Sequence, residues 1–335
     1  MNRRSACSLP TQRDAAIERQ PRAPANHDAS PSERNAFSRA ELIAVASLTL
    51  LLTAVMMPAI AEARARARAT GCQDNLKGLG LALLNYEETY ASFPPGAVIS
   101  LATPAESGRG WLSSILPFMG QVPLYEAVQP NGGTITESGD PRRGSSQVGE
   151  SRELLNTTIR GYRCPEDPLP ASNPVRDGFG TSNYSGITGS RPISGPLGFL
   201  SVNWPGAIAI GDLAPSQKRQ DELPFNGLFT INRGFRPRDI LDGMSNTLLV
   251  GERSFLSGAG IWAGVRGTEH LNDAMTDCSR VSPLGSPTGL SAIHPGLVNV
   301  VAADGHVASL DREIAPGVLS DISTRSGGEV IREPF

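Results

Sequence analysis

Aromatic side chains, histidine and net charge are all scarce in this 335-residue chain, and each shortage removes a class of protein. Aromatics make up 5% of the residues, so any globular part must be built around a modest core. The net charge of −3 leaves no basic footprint for nucleic acid, and none is expected as a partner. Of the four histidines, His27, His270, His294 and His306, the first lies in the N-terminal leader. A three-histidine zinc site would need all the others, at spacings unlike H-E-x-x-H. The four cysteines contain no C-x-x-C pair, which removes zinc ribbons and thioredoxin-like redox motifs. No phosphate loop of the G-x-x-x-x-G-K-[ST] type occurs. Ser185 in NYSGITG and Ser245 in DGMSNT stand outside any G-x-S-x-G, with no lysine or histidine at a defined nearby offset. No catalytic residue and no metal ligand set is therefore assigned, and an enzyme is not expected.

What the chain does have is one long apolar run. Twenty uncharged, mostly apolar residues, Leu42 to Ala61, lie between Glu41 and Glu62. At about 1.5 Å rise per residue they match the ~30 Å hydrocarbon core of a bilayer. Residues 1–36 are rich in Arg, Pro, Ser and Asn and read as a disordered leader. Three readings of the run compete. A secretory signal would be cut near Ala59-Ile60-Ala61, although ~60 residues exceeds the usual signal length of 15–30. An uncut signal anchor is the second reading, and a processed pilin-like anchor, taken up below, is the third. Flanking charge does not orient the span, because Arg22, Arg34 and Arg39 before it face Arg64, Arg66, Arg68 and Lys77 after it.

Residues 62–90 should continue as helix, with Leu76, Leu79, Leu83, Tyr86 and Tyr90 at helical spacing and a break near Gly71. Two prolines in Ser92 to Gly96 end it. Beyond that point, 36 Gly and 27 Pro in the whole chain argue for many turns and short strands. Trp111 to Tyr125 reads as a short helix interrupted at Pro117. NGLFTI, Asn226 to Ile231, alternates like a strand, whereas SNYSGITGS reads as turns. Thr247 to Glu252 reads as a buried strand, and residues 129–150 and 266–290 as loops. Asp304-Gly305 between two apolar runs predicts a hairpin with a type I′ turn. If the body is exported, Cys72, Cys164 and Cys278 meet an oxidising compartment, and three pairings stand open.

The apolar segment resembles the prepilin-type N-terminal methylation motif of type IV pilins and type II secretion pseudopilins. Ala36 precedes Phe37, Glu41 is the fifth residue counted from Phe37, and Pro58 is the twenty-second. Ala36 stands where that motif usually has Gly, and Arg39 where it has an apolar residue. The resemblance implies processing between Ala36 and Phe37, an N-inside orientation, and a role for Glu41 in pairing with a neighbouring subunit's N-terminal amine. Read from the residues alone, Glu41 is an interfacial acid that ends the apolar run.

A second resemblance covers more of the chain. CQDNLKGLGLALLNYEETYASFPPG, the run from Trp111, Cys164-Pro165 with Asp167, RDILDGMSNTLLVGER, and His294-Pro295-Gly296 followed by Asp304-Gly305 stand in this order. In order and content they resemble the planctomycete-type DUF1559 proteins, which join a pilin-like N-terminus to a C-terminal H-x9-D-G motif and have no agreed biochemical activity. His294, Asp304 and Gly305 carry that motif here. One reading makes His294 and Asp304 a metal-binding or acid–base pair. The other has His294 bonded to backbone near the turn, with Asp304 supplying positive φ. Asp239, Asp242, Asn246 and Glu252 offer oxygens of the kind calcium prefers, without the D-x-D-x-D-G spacing, and turn and cap chemistry accounts for them equally. No cofactor is assigned beyond that calcium option.

Together these readings predict an α+β protein: a leader (1–36), a transmembrane helix (37–61), a helical continuation (62–90) and a loop-rich, mostly antiparallel β body (91–335). The expected function is that of a pilin- or pseudopilin-like envelope protein in the inner membrane, its body in the periplasm or at the cell surface. Its expected partners are the membrane, like subunits, and secretion or pilus machinery. The alternative is a membrane-tethered ligand-binding protein or hydrolase.

Overall fold

The computed structural model describes residues 38–99, 107–128, 153–168, 170–190, 225–281, 289–294 and 296–328. The processing pair Ala36 and Phe37, and the 129–150 loop, lie outside them. The chain divides into two compact units, Met1–Met57 and Pro58–Phe335.

One helix, α1, runs from Arg39 to Tyr90. Its start is a reciprocal cap: the Glu41 N–H donates to Ser38 Oγ (3.2 Å), and the Ser38 N–H donates to the Glu41 carboxylate (2.9 Å). This is the S-x-x-E capping box, which satisfies two otherwise orphaned donors. In the first unit the helix exposes Leu42, Ile43, Leu50, Leu51 and Met57. The polar side chains on this stretch bond back to the helix itself. Ser47 donates to the Ala44 carbonyl (2.9 Å), Thr49 to Val45 and Ala46, and Thr53 to Thr49 and Leu50. A helix in hydrocarbon needs its polar groups satisfied internally in this way. It is the one helix among the described residues long and apolar enough to cross a membrane, and it is compatible with a single-pass anchored protein.

In the second unit the same helix becomes a spine. Leu76, Leu79 and Leu83 are fully buried, on one face of the helix, in a core with Phe93, Trp111, Tyr162, Phe229 and Trp262. The expected break near Gly71 does not occur, because tertiary packing uses the glycine. A Cβ there would lie 3.0 Å from Pro165 Cγ, beside the Cys164 loop. Gly80 serves the other end of the contact, where a Cβ would stand 2.9 Å from Val301 Cγ2 and 3.3 Å from Gly305 Cα.

The strands are short: β1 (Ala97–Val98), β2 (Gly108–Gly110), β3 (Ser172–Asn173), β4 (Phe179–Ser182), β5 (Tyr184–Ile187), β6 (Leu248–Glu252), β7 (Gly260–Ile261), β8 (Gly264–Val265), β9 (Met275–Thr276), β10 (Leu297–Ala302) and β11 (Val307–Asp311). They form a central sheet of order β11-β10-β6-β5-β9 and two three-stranded sheets, β1-β2-β8 and β3-β4-β7. All pairings are antiparallel except β5 with β9. A second apolar cluster joins Leu248, Val298, Val300 and Leu310 to Leu319 and Ile322 of the C-terminal helix α4, Pro316–Ser323. The α+β class is as expected. The short helix α2 at Trp111–Ser114, a 3-10 turn at Leu116–Met119 and the helix α3 at Val122–Val128 account for the interrupted helix around Pro117.

Four local expectations are corrected. SNYSGITG is not a set of turns but contributes to β4 and β5. Gly186 sits there because a Cβ would lie 2.6 Å from the Phe229 ring. NGLFTI is not a ladder strand. It is buried almost throughout, makes one bridge from Ile231 to Ala97, and is held by the Gly227 and Phe229 N–H groups on the carbonyls of Thr188 and Ile187. Residues 266–290 are not simply loop, since Thr268–Asp273 is a 3-10 helix leading into β9. The hairpin turn is not type I′. Gly305 N–H donates to the Ala302 carbonyl (2.9 Å) and Ala302 N–H to His306 (3.0 Å), while Gly305, at φ 89°, carries the left-handed conformation. That is a three-residue loop closed by a glycine bulge, with Asp304 outside the positive-φ region.

A buried charge network ties the smaller sheets together. The Asp273 carboxylate pairs with Arg176 and, at 3.0 Å, with Arg266, which also reaches Asp177 at 2.8 Å. Arg176 further donates to the carbonyls of Ala259 (2.8 Å) and Gly258 (2.7 Å), so its charge is shared over several acceptors.

Candidate functional site

The site forms where α1, the loop after Tyr162, β6 and the segment before β10 converge. Cys72 on α1 and Cys164 are joined as a disulfide, with Cα atoms 4.8 Å apart, whereas Cys278 is a free, buried thiol. One pairing of the three left open by the sequence is therefore made. Several polar contacts shape the Cys164 loop. Asn75 donates to the Arg163 carbonyl (2.7 Å), and the Cys164 N–H donates to Asn183 Oδ1 (3.1 Å). The Asp167 carboxylate accepts from Asn183 (2.8 Å) and from the Phe255 N–H (2.8 Å).

His294 lies against this disulfide, with its Nε2 3.6 Å from Cys164 Sγ. The same nitrogen is 3.1 Å from Glu252 Oε1, and Nδ1 pairs with the Glu166 carboxylate. Glu252 is itself held by the Asn299 N–H on Oε2 (2.9 Å). Arg312 donates to the carbonyls of Ala292 and His294, fixing the backbone that presents the imidazole. Burial of His294 disfavours its charged form. Hydrogen bonds and charge from Glu252, then from Glu166, outweigh that and raise its pKa above the ordinary histidine value. A small cavity lined by Cys164, Asp167, Glu252, Arg253, Ser254 and His294 has room for a water-sized occupant.

His294 and Asp304 are not a pair. They stand at opposite ends of β10, and Asp304 instead bonds His306 through its ring (2.6 Å) and backbone (3.1 Å). Partial burial works against the Asp304 carboxylate. Hydrogen bonds from Ser245, then from His306, prevail and hold its pKa below the usual range. Positive φ belongs to Gly305, not to Asp304. The calcium-type group is also dispersed. Asp239 caps the Arg236 N–H (3.0 Å), and Asp242 accepts from Gly327 (2.7 Å), Gly328 (2.8 Å) and Thr324 (3.1 Å). Asn246 bonds the Asp242 carbonyl (3.2 Å), and Glu252 lies with His294. Glu41, expected in assembly, caps its own helix. Glu166 was missed as a partner because nothing in its spacing points to His294, 128 residues away.

Most of this architecture lies within residues 61–317, which match the family model described as a protein of unknown function (DUF1559), and the chain belongs to that family. The match begins at the end of the apolar run. Together, the family and the apolar helix fit a membrane-anchored envelope protein. No curated protein and no solved structure matches the chain.

Proposed function

We propose that the protein is a pilin- or pseudopilin-like subunit of the inner membrane, with a structural or assembly role rather than a catalytic one. Its body would be exported to the periplasm or cell surface. The observation that carries this reading is the N-terminal stretch of α1, apolar on every side and exposed from Leu42 to Met57. Nine Leu, Ile and Val lie between Leu42 and Ala61. At about −0.3 to −0.6 kcal/mol each, they favour insertion by about 3 to 5 kcal/mol. The Cys72–Cys164 disulfide supports export, since such bonds persist in oxidising compartments. Helix–helix packing along residues 42–56, with like subunits or with secretion machinery, would then drive assembly.

The capping box sharpens the test of Glu41. Glu41→Gln keeps a capping partner for Ser38 but removes the negative charge that an N-terminal amine would seek. Cysteines placed along residues 42–56 should cross-link between subunits in wild type and much less in Glu41→Gln, with the mature N-terminus at Phe37. A mature N-terminus at Glu62, or cross-linking indifferent to Glu41→Gln, would oppose the pilin-like reading.

A further inference from the structure

We infer that Cys72, Cys164, Glu252 and His294 form a binding site for a zinc-class divalent cation in the dithiol state, and that the disulfide is the closed form of the same site. One ligand atom from each of the four lies within 4.8 Å of every other, and all four residues are buried. They come from four separate segments of the fold, so the convergence is tertiary. Two sulfurs, an imidazole nitrogen and a carboxylate oxygen are the donor set of a tetrahedral zinc site, with bonds of about 2.3 Å to sulfur and about 2.0–2.2 Å to nitrogen and oxygen. The edges of such a tetrahedron are roughly 3.3–3.8 Å. The structure has Cys164 Sγ to His294 Nε2 at 3.6 Å and His294 Nε2 to Glu252 Oε1 at 3.1 Å.

The surrounding groups suit metal ligation as well as the inner four do. Metal-binding histidines generally give their second ring nitrogen to a carboxylate, and here Glu166 takes Nδ1 of His294. The Asn299 N–H on Oε2 orients Glu252 and leaves Oε1 facing the imidazole. Opening the disulfide supplies the two sulfurs. A small dithiol reductant gives two electrons and becomes a disulfide, and the protein S–S bond breaks. The cation takes both sulfurs as thiolates, and the two protons brought by the reductant leave to solvent. A small disulfide oxidant reverses the exchange: it takes the two electrons, and two protons from solvent, to become a dithiol, the protein S–S bond re-forms, and the cation leaves because neither sulfur then retains thiolate character.

The test uses the full-length chain in detergent, carrying Cys278→Ala to remove the remaining body thiol. After anaerobic reduction it should bind one Co2+ with a thiolate-to-cobalt charge-transfer band and tetrahedral d–d bands, and Zn2+ should displace the cobalt. The oxidised chain should bind none. Glu166→Gln should weaken cobalt binding about 10–100-fold while leaving the sulfur bands in place. His294→Gln should lose the tetrahedral spectrum. X-ray absorption on the zinc-loaded chain, without any site mutation, should count two sulfurs and one imidazole. A reduced, folded chain that takes up no cobalt, or that binds it without sulfur, overturns the inference. So does equal binding by the oxidised chain, or an absorption spectrum lacking the imidazole.

Discussion

Breaking the Cys72–Cys164 bond should destabilise the second unit, Pro58–Phe335, by an amount set mainly by the loop it closes. The two cysteines are 92 residues apart in sequence. The chain-entropy relation, 2.1 plus 1.5R ln n in cal/mol/K, then gives ~4.6 kcal/mol at 25 °C. With an unfolding entropy of about 2.1 cal/mol/K per residue over residues 58–335, this lowers the melting temperature by about 8 °C. The Asn75 bond to the Arg163 carbonyl and the Gly71–Pro165 contact hold the segment nearby, so the loop should remain docked after the bond is removed. The assay is urea unfolding of the detergent-solubilised chain, followed by fluorescence of the buried Trp111 and Trp262, with chelator present throughout. The Cys72→Ala/Cys164→Ala protein is compared with wild type in a Cys278→Ala background. A midpoint shift worth less than about 1 kcal/mol would refute the reasoning, as would a wild-type chain whose two cysteines are found unlinked by mass spectrometry of the non-reduced protein.

Four further outcomes follow from single substitutions. Asp273→Ala strands the buried Arg176 and most of the bonding of Arg266, and should cost about 3–5 kcal/mol in the same unfolding assay. Gly78→Ala, where nothing lies within 4 Å of the new Cβ, should stabilise by up to about 1 kcal/mol; Gly80→Val, pressed on Val301 and the Gly305 backbone, should destabilise by about 1–3 kcal/mol. In the disulfide form, the raised pKa of His294 makes its stabilising contribution full below its unfolded value of about 6.5 and lost as pH rises through the higher folded value. The stability gap between wild type and His294→Gln, measured by urea unfolding across pH, should therefore narrow toward alkaline pH; a gap that widens would contradict the carboxylate pairing.

The elements that were legible in the sequence are those whose pattern is local. The uncharged run Leu42 to Ala61 and the leucines at 76, 79 and 83 announce α1, and the buried run before Glu252 announces β6. The S-x-x-E signature at Ser38 to Glu41 was equally local, yet the cap was missed because the acid was weighed against a membrane boundary. Glycines misled in both directions. Gly71 suggested a break where the fold needs a close approach, and Gly186 suggested a turn where an aromatic ring covers a strand. The apparent alternation in NGLFTI failed because the segment is enclosed on both sides, so its period carries no face information.

The candidate site was only half legible. Scarcity of histidine drew attention to His294, but its partners come from 42 and 128 residues away, and the nine-residue interval pointed instead to Asp304 at the far end of β10. The available signal was Glu252 itself, an acid closing a strand that is otherwise Leu, Val and Gly. A buried carboxylate demands a partner, and chain order could not say which. The cysteine pairing was undetermined for the same reason, since α1 and the Cys164 loop meet only through tertiary packing.

Protease treatment of intact spheroplasts expressing the chain with a C-terminal tag tests the central claim most directly. The account predicts that the tag is lost from outside while the product stays in the membrane fraction and a cytosolic control protein survives. A tag that resists protease until the cells are lysed would place the body on the cytosolic side and contradict it.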